Sequence, residues 1–245
     1  MKALILAAGY GTRLYPYTKN YPKPLLKVNN RPIIAYLLDK LERLDNLSEI
    51  LIVTNDRFYK YFERYRQTLK IKNRIKIIND CTRTAEEKLG AIRDMELVFR
   101  EEGFGEDFLV LGGDNFFKEP LEEFIHFARK ISPALTIGVF DLKDKTQAKH
   151  YGVVSLNQKK RLTEFYEKPD FPKSALVAMC LYYFPKNKLQ LINEYLINPK
   201  HFSDAIGAYI RWLVKNDEVY GFLFDKLWFD IGHTHTFERL KEILK

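Results

Sequence analysis

The hydrophobic positions of the chain alternate between short apolar runs and longer segments with helical spacing. Five apolar runs have the length and composition of buried strands: Ala3–Ala8, Ile50–Thr54, Ile75–Ile78, Phe108–Leu111 and Ala134–Phe140. The segments between them predict helices, because apolar side chains recur every three or four residues: Pro32–Leu41, Arg57–Leu69, Glu86–Glu101 and Pro120–Ile131. Strands that alternate with helices indicate right-handed βαβ units and a mostly parallel central sheet.

The pattern changes after residue 140. Tyr151–Leu156 and Arg161–Glu167 are joined by the polar turn 157–160, which is typical of a β-hairpin and adds antiparallel strands. The remaining predicted elements are strands at Leu176–Phe184 and Val219–Phe224, and helices at Lys186–Leu196, Asp204–Lys215 and Thr236–Leu244. No linker or repeat divides the chain, so we predict one α/β domain over residues 1–245, with a first part of about 1–140 and a second of about 141–245.

The composition excludes several classes of protein. Hydrophobic residues at 46% and charged residues at 29% argue against a disordered or low-complexity chain. No apolar run reaches the roughly 18–20 residues of a membrane helix, and the first residues lack the pattern of a signal peptide. Cys81 and Cys180 belong to no paired motif, so a disulfide framework is not expected. We therefore expect a cytoplasmic protein without a membrane partner.

The net charge of +8 favours an anionic partner, which could be a nucleic acid, an acidic surface or a phosphate ester. The segment Arg57–Lys76 concentrates eight cationic residues, one acidic residue and several aromatics. The helical spacing of its aromatic residues favours a helix whose aromatic face packs on the core and whose cationic face is solvated. RNA binding along this segment is the alternative hypothesis, although no known RNA-binding signature supports it.

The segment GYGTRL at residues 9–14 directly follows the first predicted strand. Its two glycines let the backbone turn sharply and approach an anion closely. Leu14 stands where a dinucleotide-binding turn has a third glycine, and three prolines between residues 16 and 24 prevent a regular helix. The segment is therefore an irregular loop, and Arg13, Lys19, Lys23 and Lys27 make it cationic. Long irregular segments inside compact domains are usually functional.

Two further motifs supply carboxylates. The segment GGDN at residues 112–115 follows a predicted strand, where ligands of open parallel sheets bind, so Asp114 can hold a cation beside a phosphate. Asp230, in the segment WFDIGH at residues 228–233, would complete a magnesium site if it lay near Asp114. Asp230 with His233 and His235 also resembles a zinc set, but no third histidine or cysteine lies nearby. The two histidines would otherwise cap the final helix.

A fourth motif, Glu167-Lys168-Pro169, ends a predicted strand, and Gly152 begins the hairpin partner. Such a Glu–Lys pair is often only an exposed salt bridge. The functional alternative is a cation for phosphate beside a carboxylate that accepts hydrogen bonds from sugar hydroxyls. No Gly-x-Ser-x-Gly elbow is present, and neither cysteine indicates nucleophilic catalysis.

The motifs LAAGYGTRLYPYTKNYPKPLL, LGGDN, YGVV, FYEKP and WFDIG, in this order, resemble the sugar-phosphate nucleotidylyltransferase family over nearly the whole chain. The resemblance implies a Rossmann-like nucleotidyltransferase fold, with a mostly parallel mixed central sheet flanked by helices and an antiparallel sugar-binding portion. It also implies a Mg²⁺-dependent reaction of a nucleoside triphosphate with a sugar 1-phosphate, which yields a nucleotide sugar and pyrophosphate. The activity expected first is that of a glucose-1-phosphate thymidylyltransferase or uridylyltransferase.

The resemblance also implies roles for individual residues. The nucleotide would be bound by Ala8, Gly9, Gly11, Thr12, Arg13, Lys23 and Gly90. The catalytic residues would be Arg13, Lys23 and Asp114. The sugar phosphate would be bound by Gly152, Glu167 and Lys168, and Mg²⁺ by Asp114 and Asp230. The partners would be these two substrates and no nucleic acid, and the family allows a homo-oligomer.

Two departures from the family pattern leave the substrates open. Residues 79–89 differ from the Gln- and Pro-rich stretch that reads the base in thymidylyltransferases, and Cys180 stands where many relatives have glycine. A cytidylyltransferase of the same fold for choline phosphate or another non-sugar phosphate is an alternative, although Glu167-Lys168 favours a hydroxylated substrate. A non-catalytic nucleotide-binding sensor is an alternative of another class.

Overall fold

The computed structural model describes residues 1–198 and 205–244. Its strands are β1 Lys2–Leu6, β2 Lys27–Val28, β3 Arg31–Pro32, β4 Glu49–Thr54, β5 Ile75–Asn79, β6 Phe108–Gly112, β7 Asn115–Phe117, β8 Leu135–Asp141, β9 Gly152–Leu156, β10 Leu162–Glu167, β11 Leu176–Phe184, β12 Val219–Phe224 and β13 Trp228–Asp230. Its α-helices are α1 Ile33–Glu42, α2 Asp56–Thr68, α3 Ala91–Glu102, α4 Glu122–Ile131, α5 Lys145–Ala148, α6 Leu191–Ile197, α7 Ile206–Asn216 and α8 Thr234–Ile243. Short 3₁₀ turns lie at Thr12–Leu14, Lys23–Leu25 and Lys186–Lys188.

Nine strands form one mixed sheet, which confirms the predicted fold class. Its main order is β10-β9-β11-β6-β1-β4-β5, and β8 and β12 extend it from β11. Neighbours among β6, β1, β4 and β5 are parallel, as are β8 and β12. The hairpin β9–β10 is antiparallel, as predicted, and β11 runs antiparallel to β6, β8 and β9. The carboxyl ends of β1, β4 and β6 therefore meet at one edge of the sheet.

Helices cover both faces of the sheet because its central strands are apolar on both sides. Along β1, Ala3 and Ile5 pack with α1, α2 and α4, whereas Leu4 packs with α3, α6 and α7. A third cluster, which includes Leu14 and Phe237, joins the loop after β1 to α8. This cluster brings the amino-terminal loop against the last helix of the chain.

Several element boundaries differ from the predictions. Helix α3 begins at Ala91 instead of Glu86, because Gly90 has a φ of 85° and residues before it form a hydrogen-bonded turn. Helix α4 begins two residues after Pro120, and the predicted helix Lys186–Leu196 is divided into a 3₁₀ turn and α6. Asp204, the predicted start of the helix that is observed as α7, lies outside the described residues. The two-stranded pairs β2–β3 and β7–β13 were not predicted.

The basic segment Arg57–Lys76 has the predicted core face, since Phe58 and Phe62 on α2 are buried. Its cations partly form ion pairs, such as Arg66 with Glu63 and Lys76 with Glu102. None of the helices within residues 1–198 and 205–244 is long and apolar enough to cross a membrane.

Candidate active site

The loop after β1 turns sharply at its second glycine. Gly11 has a φ of 64°, in the left-handed region that favours glycine, and its carbonyl accepts a hydrogen bond from Thr18 Oγ1 at 2.6 Å. The 3₁₀ turn that follows buries Leu14 completely and leaves Arg13 exposed. The bend therefore presents backbone and the Arg13 guanidinium together at the carboxyl end of β1.

Gly113 allows the cationic loop to approach the end of β6. Its amide donates to the carbonyl of Leu6 at 2.9 Å. A Cβ atom at Gly113 would lie 2.9 Å from that carbonyl oxygen and 3.1 Å from Pro24 Cγ. Pro24 can pack here only because position 113 has no side chain. The close approach places the Lys23 ammonium in an ion pair with the Asp114 carboxylate.

The ladder between β7 and β13 brings the two predicted metal ligands together. It pairs Asp230 with Asn115, and the amide of Ile231 donates to the carbonyl of Asp114 at 3.0 Å. The buried Asn115 amide links the two strands, because its Oδ1 accepts from Trp228 Nε1 at 2.7 Å and its Nδ2 donates to Asp114 Oδ1 at 3.2 Å. The backbone of this small sheet therefore sets the relation between Asp114 and Asp230.

The Asp230 carboxyl is partly buried beside a second carboxylate. Burial raises the pKa of the Asp230 carboxyl well above its ordinary value, and the charge of Asp114 raises that pKa further. Lys23, Arg13 and Lys168 oppose the rise of the pKa without cancelling it. A second cation is thus favourable between two hard oxygen donors, which is the chemistry that Mg²⁺ prefers.

No three metal-binding side chains gather anywhere in residues 1–198 and 205–244. Mg²⁺ needs only one or two carboxylates, with waters and substrate phosphates as its other ligands, so the pair fits Mg²⁺. A structural zinc ion takes four protein ligands and a catalytic one takes three, which the alternative set of Asp230, His233 and His235 does not supply.

His233 lies beside Arg13 and occupies the N-cap position of α8. The capping interpretation is therefore confirmed for His233, whereas His235 lies within α8. Its Nε2 is 3.3 Å from Arg13 Nη1, and its ring stacks on that of His235 with centroids 5.6 Å apart. Burial and then the charge of Arg13 lower the pKa of His233, which favours a neutral ring that accepts the hydrogen bond from Arg13. The sequence motif singled out His233 but did not predict its contact with Arg13.

The residues predicted for the sugar phosphate lie together on the hairpin. Gly152 pairs with Glu167 across β9 and β10, and Lys168 Nζ lies 3.9 Å from Glu167 Oε1. Burial raises the pKa of Glu167, while Lys168 opposes the rise. The Glu167 carboxylate packs against the first turn of α7, where a Cβ atom at Gly207 would lie 1.8 Å from Oε2. The absence of a side chain at Gly207 makes room for the Glu167 carboxylate. The sequence did not predict this contact, because it depends on where α7 packs against the hairpin.

The other predicted nucleotide-binding residues line a separate cavity of about 310 Å³. Ala8, Gly9 and Gly90 form part of its wall, together with the buried carboxyls of Asp80 and Asp94. Asp94 was not singled out from the sequence. Its place in the first turn of a glycine-opened helix is the signal that could have indicated it. The predicted nucleotide-binding residues are thus distributed between this cavity and the Gly11–Lys23 loop.

Cys180 occupies a backbone conformation that favours glycine. Its φ is 53°, and the pairing of β11 with β8 shifts register between Ala178 and Tyr182. A Cβ atom at Gly112 would lie 3.0 Å from Cys180 Sγ and 3.1 Å from Asp114 Oδ1. The thiol therefore lies beside the carboxylate site at the end of β6, and burial raises its pKa.

The profile of the nucleotidyl transferase family matches residues 2–245. The bifunctional protein GlmU of Methanocaldococcus jannaschii is 29% identical over 95% of this chain and 51% of its own length. "Probable mannose-1-phosphate guanylyltransferase 3" of Oryza sativa subsp. japonica is 31% identical over 81% of this chain and 50% of its own. The chain thus spans about half the length of these curated relatives.

The crystal structure of a UDP-glucose pyrophosphorylase complexed with UDP-glucose superposes with a TM-score of 0.82 at 19% identity. The match covers 99% of this chain and 97% of that one, so the two proteins share a fold. Together with the family profile, which covers almost every residue, this likeness agrees with the resemblance found in the motifs. The chain belongs to the nucleotidyl transferase family.

Proposed function

We propose that the protein transfers a nucleoside monophosphate from a nucleoside triphosphate to a sugar 1-phosphate and releases pyrophosphate. The observation that carries this proposal is the proximity of the Asp114 and Asp230 carboxylates beside the cationic loop. The Glu167–Lys168 pair on the hairpin supports a phosphorylated and hydroxylated second substrate. The names of the rice relative and of the pyrophosphorylase with the same fold agree with this substrate class.

The reaction joins two anions, so catalysis consists mainly of positioning and charge neutralisation. A phosphate oxygen of the sugar phosphate attacks the α-phosphorus, and the bond from that phosphorus to the bridging oxygen of the leaving pyrophosphate breaks. The nucleophile is already an anion, so no general base is needed. Arg13 would hold the leaving pyrophosphate, and Lys23 would stabilise the charge at the reacting phosphorus.

Asp114 and Asp230 would hold Mg²⁺, which when bound neutralises charge on the phosphates. Lys23 is poised for this arrangement, because its ammonium now neutralises the carboxylate that a metal ion would share. Release of Lys23 from Asp114 would let the ammonium turn to a phosphate. Glu167 would accept hydrogen bonds from sugar hydroxyls, and Lys168 would bind the sugar phosphate.

A screen of pyrophosphate release from nucleoside triphosphates with sugar 1-phosphates tests the proposal. We expect release that requires a nucleotide, a sugar 1-phosphate and Mg²⁺ together. Turnover with choline phosphate and not with any sugar 1-phosphate would overturn the second substrate. Tight calorimetric binding of nucleotide with no turnover across the panel would instead indicate a sensor.

A further inference from the structure

The cavity beside the amino-terminal loop has the position that a nucleobase needs if the proposed function is right. Gly9 belongs both to its wall and to the bend that would bind the triphosphate. Asp80 follows β5, on one side of β1 in the sheet, whereas the hairpin with Gly152 and Glu167 lies on the other side. A nucleotide whose phosphates rest on the bend would therefore direct its base into this cavity and its reacting phosphate towards the hairpin.

Two carboxyls dominate the polar wall of this cavity. Asp80 and Asp94 are 7% and 5% exposed, and their side chains are hydrogen-bonded to each other. Asp80 Oδ1 also accepts from the amide of Thr82 at 2.7 Å and from its hydroxyl at 2.8 Å. The Thr82 hydroxyl lies 3.0 Å from the Tyr10 hydroxyl on the bend. This chain of contacts fixes the carboxyls relative to the loop.

Two buried carboxyls in contact do not both ionise readily. Burial, the largest cause, raises the pKa of Asp80, and the charge of Asp56 adds to the rise. With one carboxyl protonated, the pair would still have more acceptor oxygens than donors, although Asp80 Oδ1 already accepts from Thr82. A base in the cavity would thus meet mainly acceptors.

Nucleobases differ in how well they suit such a wall. Guanine, cytosine and adenine carry an exocyclic amino group, which donates to carboxyl oxygens. Uracil and thymine present two carbonyl oxygens around a single N–H, so a carbonyl of either base would face an acceptor where that edge meets the two carboxyls. Lys88 also lines the cavity. Its ammonium can donate a hydrogen bond to a base carbonyl, but guanine, cytosine, uracil and thymine all have one, so Lys88 does not discriminate among these four bases.

We infer that the Asp80–Asp94 pair selects a nucleotide whose base carries an exocyclic amino group over uracil and thymine nucleotides. The inference rests on the proposed function, because it takes the cavity as the base subsite. It assigns a specificity role to Asp94, which lies on the buried side of α3, and to Asp80 at the end of β5.

The test is calorimetric binding of single nucleotides to the unaltered protein without sugar phosphate. GTP is compared with ITP, which lacks only the exocyclic amino group, and CTP with UTP, in which a carbonyl replaces it. ATP and dTTP complete the panel. We expect the preferred amino-bearing nucleotide, GTP or CTP, to bind at least about tenfold more tightly than ITP or UTP, respectively. Loss of the exocyclic amino group leaves buried acceptor oxygens without a hydrogen bond. Equal or tighter binding of UTP or dTTP would overturn the inference.

Asp94→Asn tests the residue itself, because an amide can present either an oxygen or an NH₂ group to the base. We expect the preference to fall about tenfold or more, with Glu101→Gln on the exposed side of α3 as the matched control. An unchanged preference in folded Asp94→Asn would overturn the role of the pair. If circular dichroism shows that this variant does not fold, Asp80→Asn and the GTP–ITP comparison decide the question.

Pyrophosphate release, measured in parallel, separates the two proposals. Fastest turnover with UTP or dTTP would support the proposed function and overturn the base selection. Selective binding of amino-bearing nucleotides with no turnover would support the base selection and overturn the proposed transfer reaction.

Discussion

Two pairs of aspartates lie near the amino-terminal loop, and their surroundings differ in charge. Asp114 and Asp230 are acted on by Lys23, Arg13 and Lys168. Asp80 is held instead by Asp94 and by the amide and hydroxyl of Thr82, and the charge that acts on it is the negative charge of Asp56. The first pair is therefore suited to exchange one cation for another, and the second to accept hydrogen bonds. Identical side chains acquire different chemistry because their neighbours differ.

The largest expected effect comes from removing a charge of the first pair. Asp114→Asn should lower pyrophosphate release by on the order of 10³-fold, because it removes a proposed metal ligand and the partner of Lys23. Steady-state kinetics at saturating Mg²⁺ measure this effect. The exposed Asp45→Asn is the control and should keep full activity. Full activity in a folded Asp114→Asn protein would contradict the metal assignment.

Removing the cation that now neutralises Asp114 should have the next largest effect. We expect Lys23→Met to lower kcat by about 10²-fold, since the charge proposed to stabilise the reacting phosphate is lost. Lys27→Met, at the exposed first residue of β2, is the matched control. If both variants lose activity equally, Lys23 acts only through the general charge of the loop.

Asp230→Asn should separate stability from activity in the metal-free protein. Folding raises the pKa of Asp230 above its ordinary value near 3.9. Ionisation of Asp230 therefore lowers the stability of the folded protein as the pH rises from that ordinary pKa through the raised one. The variant should therefore have a higher melting temperature than the unaltered protein at pH 7 in EDTA, and show no gain below pH 4. It should also be nearly inactive. A lower melting temperature at pH 7 would contradict a raised pKa of Asp230 in the folded protein.

The smallest expected effect concerns the contact between Arg13 and His233. His233→Ala should raise the KM for the nucleotide by about twofold to fivefold and change kcat little, because an exposed positioning contact contributes little energy. His233→Gln, which keeps an acceptor, should recover most of the loss. His126→Ala on the exposed face of α4 is the control. A loss in kcat alone would argue against a positioning role.

Much of the fold could be predicted from local pattern. The strands of the parallel half and the β9–β10 hairpin lie near their predicted positions, because apolar runs and polar turns act locally. The β7–β13 pair was missed, since each strand has three residues and its partner is distant in sequence. The two strands are held by the backbone hydrogen bonds between them and by the Asn115–Trp228 hydrogen bond. Neither contact can be predicted from the sequence of one strand alone.

The candidate site divides in the same way. The sequence by itself determined the chemistry that is available: a glycine bend with Arg13, a loop lysine, and carboxylates after strands. Only the tertiary structure decided which groups meet, namely Asp230 with Asp114, His233 with Arg13, and Asp94 with Asp80. The physical reason is that residue type and turn geometry depend on near neighbours along the chain. Proximity and pKa depend instead on burial and on charges that distant segments bring together.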